Sequence, residues 1–410
     1  MRNGSYRRAT ALALGATLLA ALPPAATAHA ADTAAAQATA GAARAVDAET
    51  TDDFATLADA VLTRRTSAIL DGSQATPRAG ASLPLKGDVH VTSRLSRAED
   101  TATDVLRDRK ARLAALDEAY TAAETEVDVD EVRVTGDRAT AQVTETTMLT
   151  YKKIEGDEPP TTGFQARHEL TFVAAPDGTW ELTQFRPLDE GGPAAVNSVV
   201  DTAGDSGPMP AGAAEEPIDE GGEPETDGPA PEETKAGTTQ PTVQAQAQAK
   251  VSVTASYDYT AMAKYAEKYW KNYNSSYRKF NDVGGDCTNF ISQALRAGGW
   301  KKDTGWYKSY KNWWYNSSNQ TTSWINVNYW ASFALHSDRA YNLDNVYKLG
   351  IGDILQMDFS GNRSKDHSMI TTYKSNGVPY LTYHSTNTYR KSVKSLVAQY
   401  PRATYYAFRT

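Results

Sequence analysis

The chain of 410 residues carries a single cysteine, Cys287. One sulfur excludes an intramolecular disulfide, a cysteine-based zinc site and an iron–sulfur cluster. Long apolar runs are equally scarce. The only one near membrane length lies at the extreme N-terminus, which excludes a polytopic membrane protein. Histidine occupies only six positions, so few side chains could serve a nucleophile as base. What is present suffices to fold, with 40% hydrophobic and 22% charged residues. The length exceeds one compact domain and suits two with linkers. The net charge of −8 averages over segments of opposite sign.

Five zones follow from composition. Residues 1–30 have the pattern of a secretory signal: Arg2, Arg7 and Arg8, then an apolar stretch at 11–22, then Ala28-His29-Ala30 as a small-x-small cleavage site. A stretch of 12 residues is too short to span a bilayer, so export without a transmembrane anchor is expected. Residues 31–50 read as an alanine-rich tether. Residues 51–187 read as a small α+β domain. Phe54, Leu57, Ala58, Val61 and Leu62 fall at helical spacing, and a second helix is expected through Val105, Leu106, Leu113, Leu116 and Tyr120. Alternation then predicts strands at 139–151, 164–172 and 180–185, with turns at Gly136-Asp137 and Pro176-Asp177-Gly178. In layout alone this resembles the cone-shaped NTF2-like or cystatin-like folds.

Residues 188–250 hold 13 Asp/Glu against Lys235 and Lys250, with many Pro, Gly and Ala. That composition predicts a disordered, self-repelling spacer. From residue 251 the balance inverts to 20 Lys/Arg against 10 Asp/Glu, and 31 of the 39 aromatics lie there. A basic, aromatic-rich exported domain suits a polyanionic or carbohydrate-rich surface such as a Gram-positive cell wall. No nucleic-acid motif accompanies it, so nucleic acid is not an expected partner.

The informative segment is Gly284-Gly285-Asp286-Cys287-Thr288-Asn289-Phe290-Ile291-Ser292-Gln293-Ala294-Leu295-Arg296-Ala297-Gly298-Gly299. Two glycines allow a sharp turn, Asp286 fits an N-cap, and Phe290, Ile291, Ala294 and Leu295 make one apolar face. Gly298-Gly299 stops the helix. Cys287 then sits in the first turn, where free N–H groups and the macrodipole favour a thiolate, with Asp286 as a negative neighbour pulling the other way.

A thiolate needs a base, normally histidine. His367 opens an alternating strand after another at 350–359, and a histidine at a strand start can reach a helix N-terminus across the sheet edge. His336, in Leu335-His336-Ser337-Asp338, reads as a loop or helix-end residue. A third group should orient the imidazole. After the turn at Asn376-Gly377, a strand at 380–384 offers His384 and, beyond it, Asn387. The sequence leaves both open.

Asp286-Cys287-Thr288-Asn289-Phe290-Ile291-Ser292-Gln293 followed by Gly298-Gly299 resembles the signature of the bacterial putative amidase-domain family, near the papain-like NlpC/P60 and CHAP peptidoglycan hydrolases. So do, in the family's order, Trp313-Trp314-Tyr315, Ser323-Trp324, Gly352-Asp353, Asp366-His367-Ser368 and His384-Ser385-Thr386-Asn387. The likeness covers roughly residues 257–410. It implies a papain-like α+β domain with Cys287 as nucleophile, His367 as base and acid, and His384 or Asn387 as the polar third member. The reaction expected is cleavage of amide bonds in peptidoglycan stems or cross-bridges, with no metal or cofactor. The Cys287 N–H would hold the oxyanion, helped by Asp286, Asn281 or Asp282. Trp306, Trp313, Trp314 and Trp324 are either substrate-side aromatics or core. The same residues would serve an acyltransferase, and a silent wall-binding module is the reading from another class.

Overall fold

In the computed structural model, residues 47–72, 89–189, 191–199, 232–241, 257–281 and 285–410 are described. The expected signal at 1–30, most of the tether, most of the spacer, Asp282 and Gly284 lie outside the described residues. Among the described residues the chain is α+β, built on one large mixed sheet. No helix there is long and apolar enough to cross a membrane.

Two helices open the N-terminal half. α1 (Ala48–Ile69) starts where the Asp47 side chain accepts from Thr50 N, and α2 (Ser93–Ala114) starts where Thr92 accepts from Leu95 N. β1 (Val89–Val91) lies between them. The second helix ends before Tyr120, which instead begins a strand, so the expected helix was drawn too long. Four antiparallel strands follow: β2 (Tyr120–Thr135), β3 (Arg138–Tyr151), β4 (Thr161–Ala174) and β5 (Trp180–Pro187). Strict alternation along β3 buries Ala139, Ala141, Val143 and Leu149 against the helices.

The C-terminal half packs α3 (Tyr259–Tyr269), α4 (Cys287–Ala297), α5 (Thr322–Ile325) and α6 (Val327–His336) on one side of its strands. These strands are β6 (Tyr341–Leu343), β7 (Ile354–Asp358), β8 (His367–Ser375), β9 (Val378–Tyr383), β10 (Asn387–Ser392) and β11 (Thr404–Arg409). α7 (Val393–Gln399) lies between the last two in sequence. The β8–β9 hairpin turns on Asn376 and Gly377, both with positive φ as a tight two-residue turn requires.

The two halves share the sheet. β10 pairs antiparallel with β4, Asn387 opposite Gln165 and Thr388 opposite Phe164, giving the order β1-β5-β4-β10-β9-β8-β7-β11-β6. One apolar cluster draws Leu106, Tyr120 and Phe164 from the first half and Val378, Tyr380 and Ala398 from the second. Parts of the expected spacer are also packed. Ala195, Val196, Asn197 and Ser198 are buried, and Ala236 N donates to Tyr405 O at 2.8 Å. The acidic average concealed the uncharged run Pro193-Ala194-Ala195-Val196-Asn197-Ser198, which can be buried at little desolvation cost.

Candidate active site

α4 places Cys287 as its first residue, behind Gly285, whose φ of +108° an L side chain rarely adopts. Phe290, Ile291, Ala294 and Leu295 are fully buried beneath it. Each large apolar side chain there stabilises the helix seat by roughly 1.5–3 kcal/mol. Asp286 holds the N-cap position but makes no capping bond. Its Oδ1 accepts from Phe280 N at 3.0 Å and from Asn289 Nδ2 at 2.9 Å, and its Oδ2 lies 2.7 Å from His384 Nδ1. The expected cap is therefore replaced by a buried carboxylate–imidazole pair. A fully buried carboxylate needs such hydrogen-bond partners.

The Cys287 sulfur is buried, and burial pushes its thiol up despite the helix start. The Ser368 backbone N–H and the Thr288 hydroxyl, 3.7 Å away, act in the opposite direction, while Asp286 adds to the rise. Desolvation outweighs the N–H and hydroxyl groups that favour the thiolate.

His367 opens β8 next to Ser368. Alternation puts the two side chains on opposite faces. Ser368 Oγ meets Thr288 Oγ1 of α4 at 3.1 Å, whereas the His367 ring packs edge-on against Tyr383, its centroid 5.1 Å away. His367 Nδ1 lies 3.2 Å from Gly191 O, and Nε2 is buried without a partner. No hydrogen bond joins His367 to Cys287. Burial pulls the imidazole down to about 3, and the Gly191 carbonyl only partly offsets it. In this arrangement both candidate partners are neutral at pH 7.

His384, just past β9, is sandwiched between Tyr273 and Phe290 with ring centroids 4.0 and 3.9 Å away. Its Nε2 lies 2.9 Å from Tyr269 O. Both nitrogens thus face acceptors. Those bonds tie His384 to Asp286 and α3 and leave no nitrogen for His367. Asn387 is committed elsewhere: its Oδ1 accepts from Tyr273 OH at 3.0 Å and its Nδ2 donates to Gln165 Oε1 at 3.2 Å. Neither candidate third member touches the His367 ring. Asn387 serves the seam between the halves, where β10 pairs with β4. Asn281 Oδ1 also accepts from Tyr273 OH, at 3.2 Å.

Trp313 and Trp324 are fully buried and offer no surface to a substrate. Their indole N–H groups donate to Ser292 Oγ at 3.2 Å and Asn289 Oδ1 at 2.8 Å, bracing the outer face of α4. Trp314 is half-buried with its N–H on Gly305 O, and Trp306 is exposed. His336 ends α6 at the surface, edge-on to Tyr310. Asp353 of the Gly-Asp pair binds Arg409 Nε at 2.7 Å and Thr410 N at 3.2 Å, so it anchors the chain end. Burial raises its carboxyl to about 6, and Arg409 works against that rise.

Sequence reasoning missed three things here. The Thr288–Ser368–Gln356 network, closed by Gln356 Nε2 donating to Ser368 Oγ at 3.1 Å, joins helix to strand beneath the sulfur. Its signal was the polar residue next to each candidate, Thr288 after Cys287 and Ser368 after His367. Tyr273, stacked on His384, had no signal among so many tyrosines. Gly191 and Gly192 were hidden by the spacer's composition. Among the described residues, no cluster of His, Cys, Asp or Glu forms a metal site.

Comparison with known proteins agrees with the extent of this half. Residues 256–408 match the family model described as "Putative amidase domain". Two curated relatives come from Bacillus subtilis (strain 168). "Uncharacterized protein YhbB" is 29% identical over 154 residues, covering 34% of this chain and 48% of that protein. "Uncharacterized protein YjcM" is 33% identical over 139 residues, 32% of this chain and 31% of that protein. The chain thus spans less than half the length of each relative. A solved structure, "The crystal structure of a conserved protein from Planctomyces limnophilus DSM 3776", aligns at 11% identity with a TM-score of 0.17, covering 34% of this chain and 95% of that one. The match over residues 256–408 is thus to a domain whose description points to amide-bond hydrolysis.

Proposed function

We propose that residues 257–410 form a papain-like cysteine hydrolase that cleaves amide bonds in peptidoglycan stem peptides or cross-bridges, and that the protein is exported. The observation that carries this reading is Cys287 at the first position of an apolar-seated helix, next to the Ser368 N–H, with the unpartnered His367 Nε2 on the adjacent residue. The excess of basic residues and the aromatic content beyond residue 251 support an anionic wall polymer as the surface on which it works.

In this mechanism the start of β8 rearranges, so that the His367 ring leaves Gly191 and reaches the sulfur. It takes the thiol proton as the sulfur adds to the substrate carbonyl carbon. The Cys287 backbone N–H holds the oxyanion. His367 then gives the proton to the leaving amine, the C–N bond breaks, and an acyl-thioester remains. Water adds to that thioester with His367 as base, releasing the acid and the thiol. The Asp286–His384 pair fixes the start of α4 and acts through position alone.

Purified peptidoglycan incubated with the full chain and with Cys287→Ala tests this. The reading expects new muropeptides or free stem peptides, absent with Cys287→Ala, whose masses identify the bond. Products that persist undiminished with Cys287→Ala would overturn it.

A further inference from the structure

After β5 the chain does not leave the molecule. Asp189 accepts from the Arg167 backbone N at 2.7 Å and from its Nε at 2.9 Å. Two residues later Gly191 O stands 3.2 Å from His367 Nδ1. Gly192 is closer still: a Cβ built on it would fall 2.6 Å from Ser385 O and 2.9 Å from His367 Cε1, so only bare backbone fits. Ser385 in turn accepts from Asp286 N through its Oγ at 3.3 Å, one residue before Cys287. The glycine pair therefore lies against the imidazole, at the end of the sheet where α4 begins.

The rest of the segment is tied down on both sides. Tyr400 OH accepts from Ala194 N at 2.7 Å, and Gln399 Nε2 donates to Ala194 O at 3.0 Å. The fully buried Arg109 of α2 donates to Val196 O and Ser198 O at 2.5 and 2.6 Å. Asn197 Nδ2 reaches Glu145 Oε1 at 2.7 Å, inside the first half. The seat is incompletely satisfied, however. Arg109 Nε and Nη2, Asn197 Oδ1 and His168 Nδ1 are all buried without partners. Leaving would return these atoms to water, so the docked strap gives up part of its own binding energy and is suited to leaving.

We infer that residues 191–198 are a built-in inhibitory strap, which holds the His367 ring on Gly191 and away from Cys287 until it is withdrawn. The inference rests on the proposed roles of Cys287 and His367. In the docked state the base is turned away, water has no path to its buried ring, and the sulfur has no imidazole partner. Withdrawal frees Nδ1, rehydrates the ring and lets the start of β8 rearrange towards the sulfur. The inhibitor is supplied in cis by the half that precedes the catalytic one, so its effective concentration is high and does not change with dilution.

Because Cys287 is the only cysteine, alkylation by iodoacetamide followed by intact mass reads this site alone, in the full chain and with no assumption about substrate. Two variants loosen the strap by different means. Gly192→Phe forces bulk against His367 and Ser385, and Arg109→Gln removes the guanidinium that grips the strap. In variants that retain a cooperative thermal transition, Cys287 should alkylate about tenfold faster than in the unsubstituted chain, because the released imidazole can take the thiol proton. If one variant does not fold, the other decides. Folded variants that alkylate at the unsubstituted rate would overturn the strap. So would an unsubstituted chain that digests peptidoglycan as fast as they do. Faster alkylation with no digestion by either variant would keep the strap and remove the hydrolase reading.

Discussion

Asp286 Oδ2 and His384 Nδ1 meet at 2.7 Å with both side chains buried, and the carboxylate belongs to the residue immediately before Cys287. The helix that presents the sulfur is thus anchored at its start by a buried carboxylate–imidazole hydrogen bond reaching to the end of β9. Phe290 and Tyr273 close over the imidazole faces and keep water from the pair. Removing one partner leaves the other buried and uncompensated, at a cost of about 3–5 kcal/mol. Asp286→Asn and His384→Ala should each lower the stability read by urea unfolding by roughly that amount. The double variant should lose about 1 kcal/mol or more less than the sum. Strict additivity would show that the pair does not act as a unit.

The buried imidazole of His367 makes stability depend on pH. Its folded value of about 3 lies below the ordinary 6.5, so between those values the unfolded chain binds the proton and the folded chain does not. Its contribution is fully present above about pH 6.5 and is lost as pH falls towards 3. Asp353, raised to about 6, pulls the opposite way between there and its ordinary 3.8, so a direct pH scan mixes the two. The difference between the unsubstituted chain and His367→Gln isolates the imidazole. That difference should shrink by roughly 3 kcal/mol from pH 7 to pH 4. A flat difference would mean that the ring is solvated.

The thiol should titrate above its ordinary value of 9, since burial outweighs the N–H groups that favour the thiolate. The alkylation rate of the full chain should therefore still be rising at pH 9. A plateau reached near neutrality would indicate a thiolate already formed, and with it an imidazole partner in the resting state.

Gly352 has φ +91°, and a Cβ there would lie 2.5 Å from Tyr259 Cδ1 and 3.1 Å from Met262 Sδ. Gly352→Ala combines left-handed strain with overpacking against α3. A loss of about 2–4 kcal/mol is expected, seen as a lower thermal midpoint. An unchanged midpoint would show that α3 shifts freely.

Local chemistry was legible where it was periodic. Phe290, Ile291, Ala294 and Leu295 announced the buried face of α4, Asn376-Gly377 announced the β8–β9 turn, and alternation announced β3 and β4. Long-range chemistry was not. That Asp286 would turn from its own helix to His384 depends on a partner 98 positions away, which no local pattern encodes. Nor does the spacing of His367 and Ser368 reveal which of them faces α4, because register is set by the neighbouring strands. Composition averaged over the spacer hid eight uncharged residues that fit between two halves. Asn387 stood in the right motif but was claimed by pairing with Gln165, an event belonging to the first half of the chain.

The central claim is that Cys287 carries the acyl group of the substrate. The most direct measurement is acid-quenched intact-mass analysis of the Gly192→Phe chain mixed with peptidoglycan stem peptides, followed by mapping of the adduct. The claim predicts an acyl mass on Cys287 that appears before free product accumulates, with both adduct and product absent in the Gly192→Phe/Cys287→Ala chain. Amide cleavage that persists without Cys287, with no adduct at any time, would contradict it.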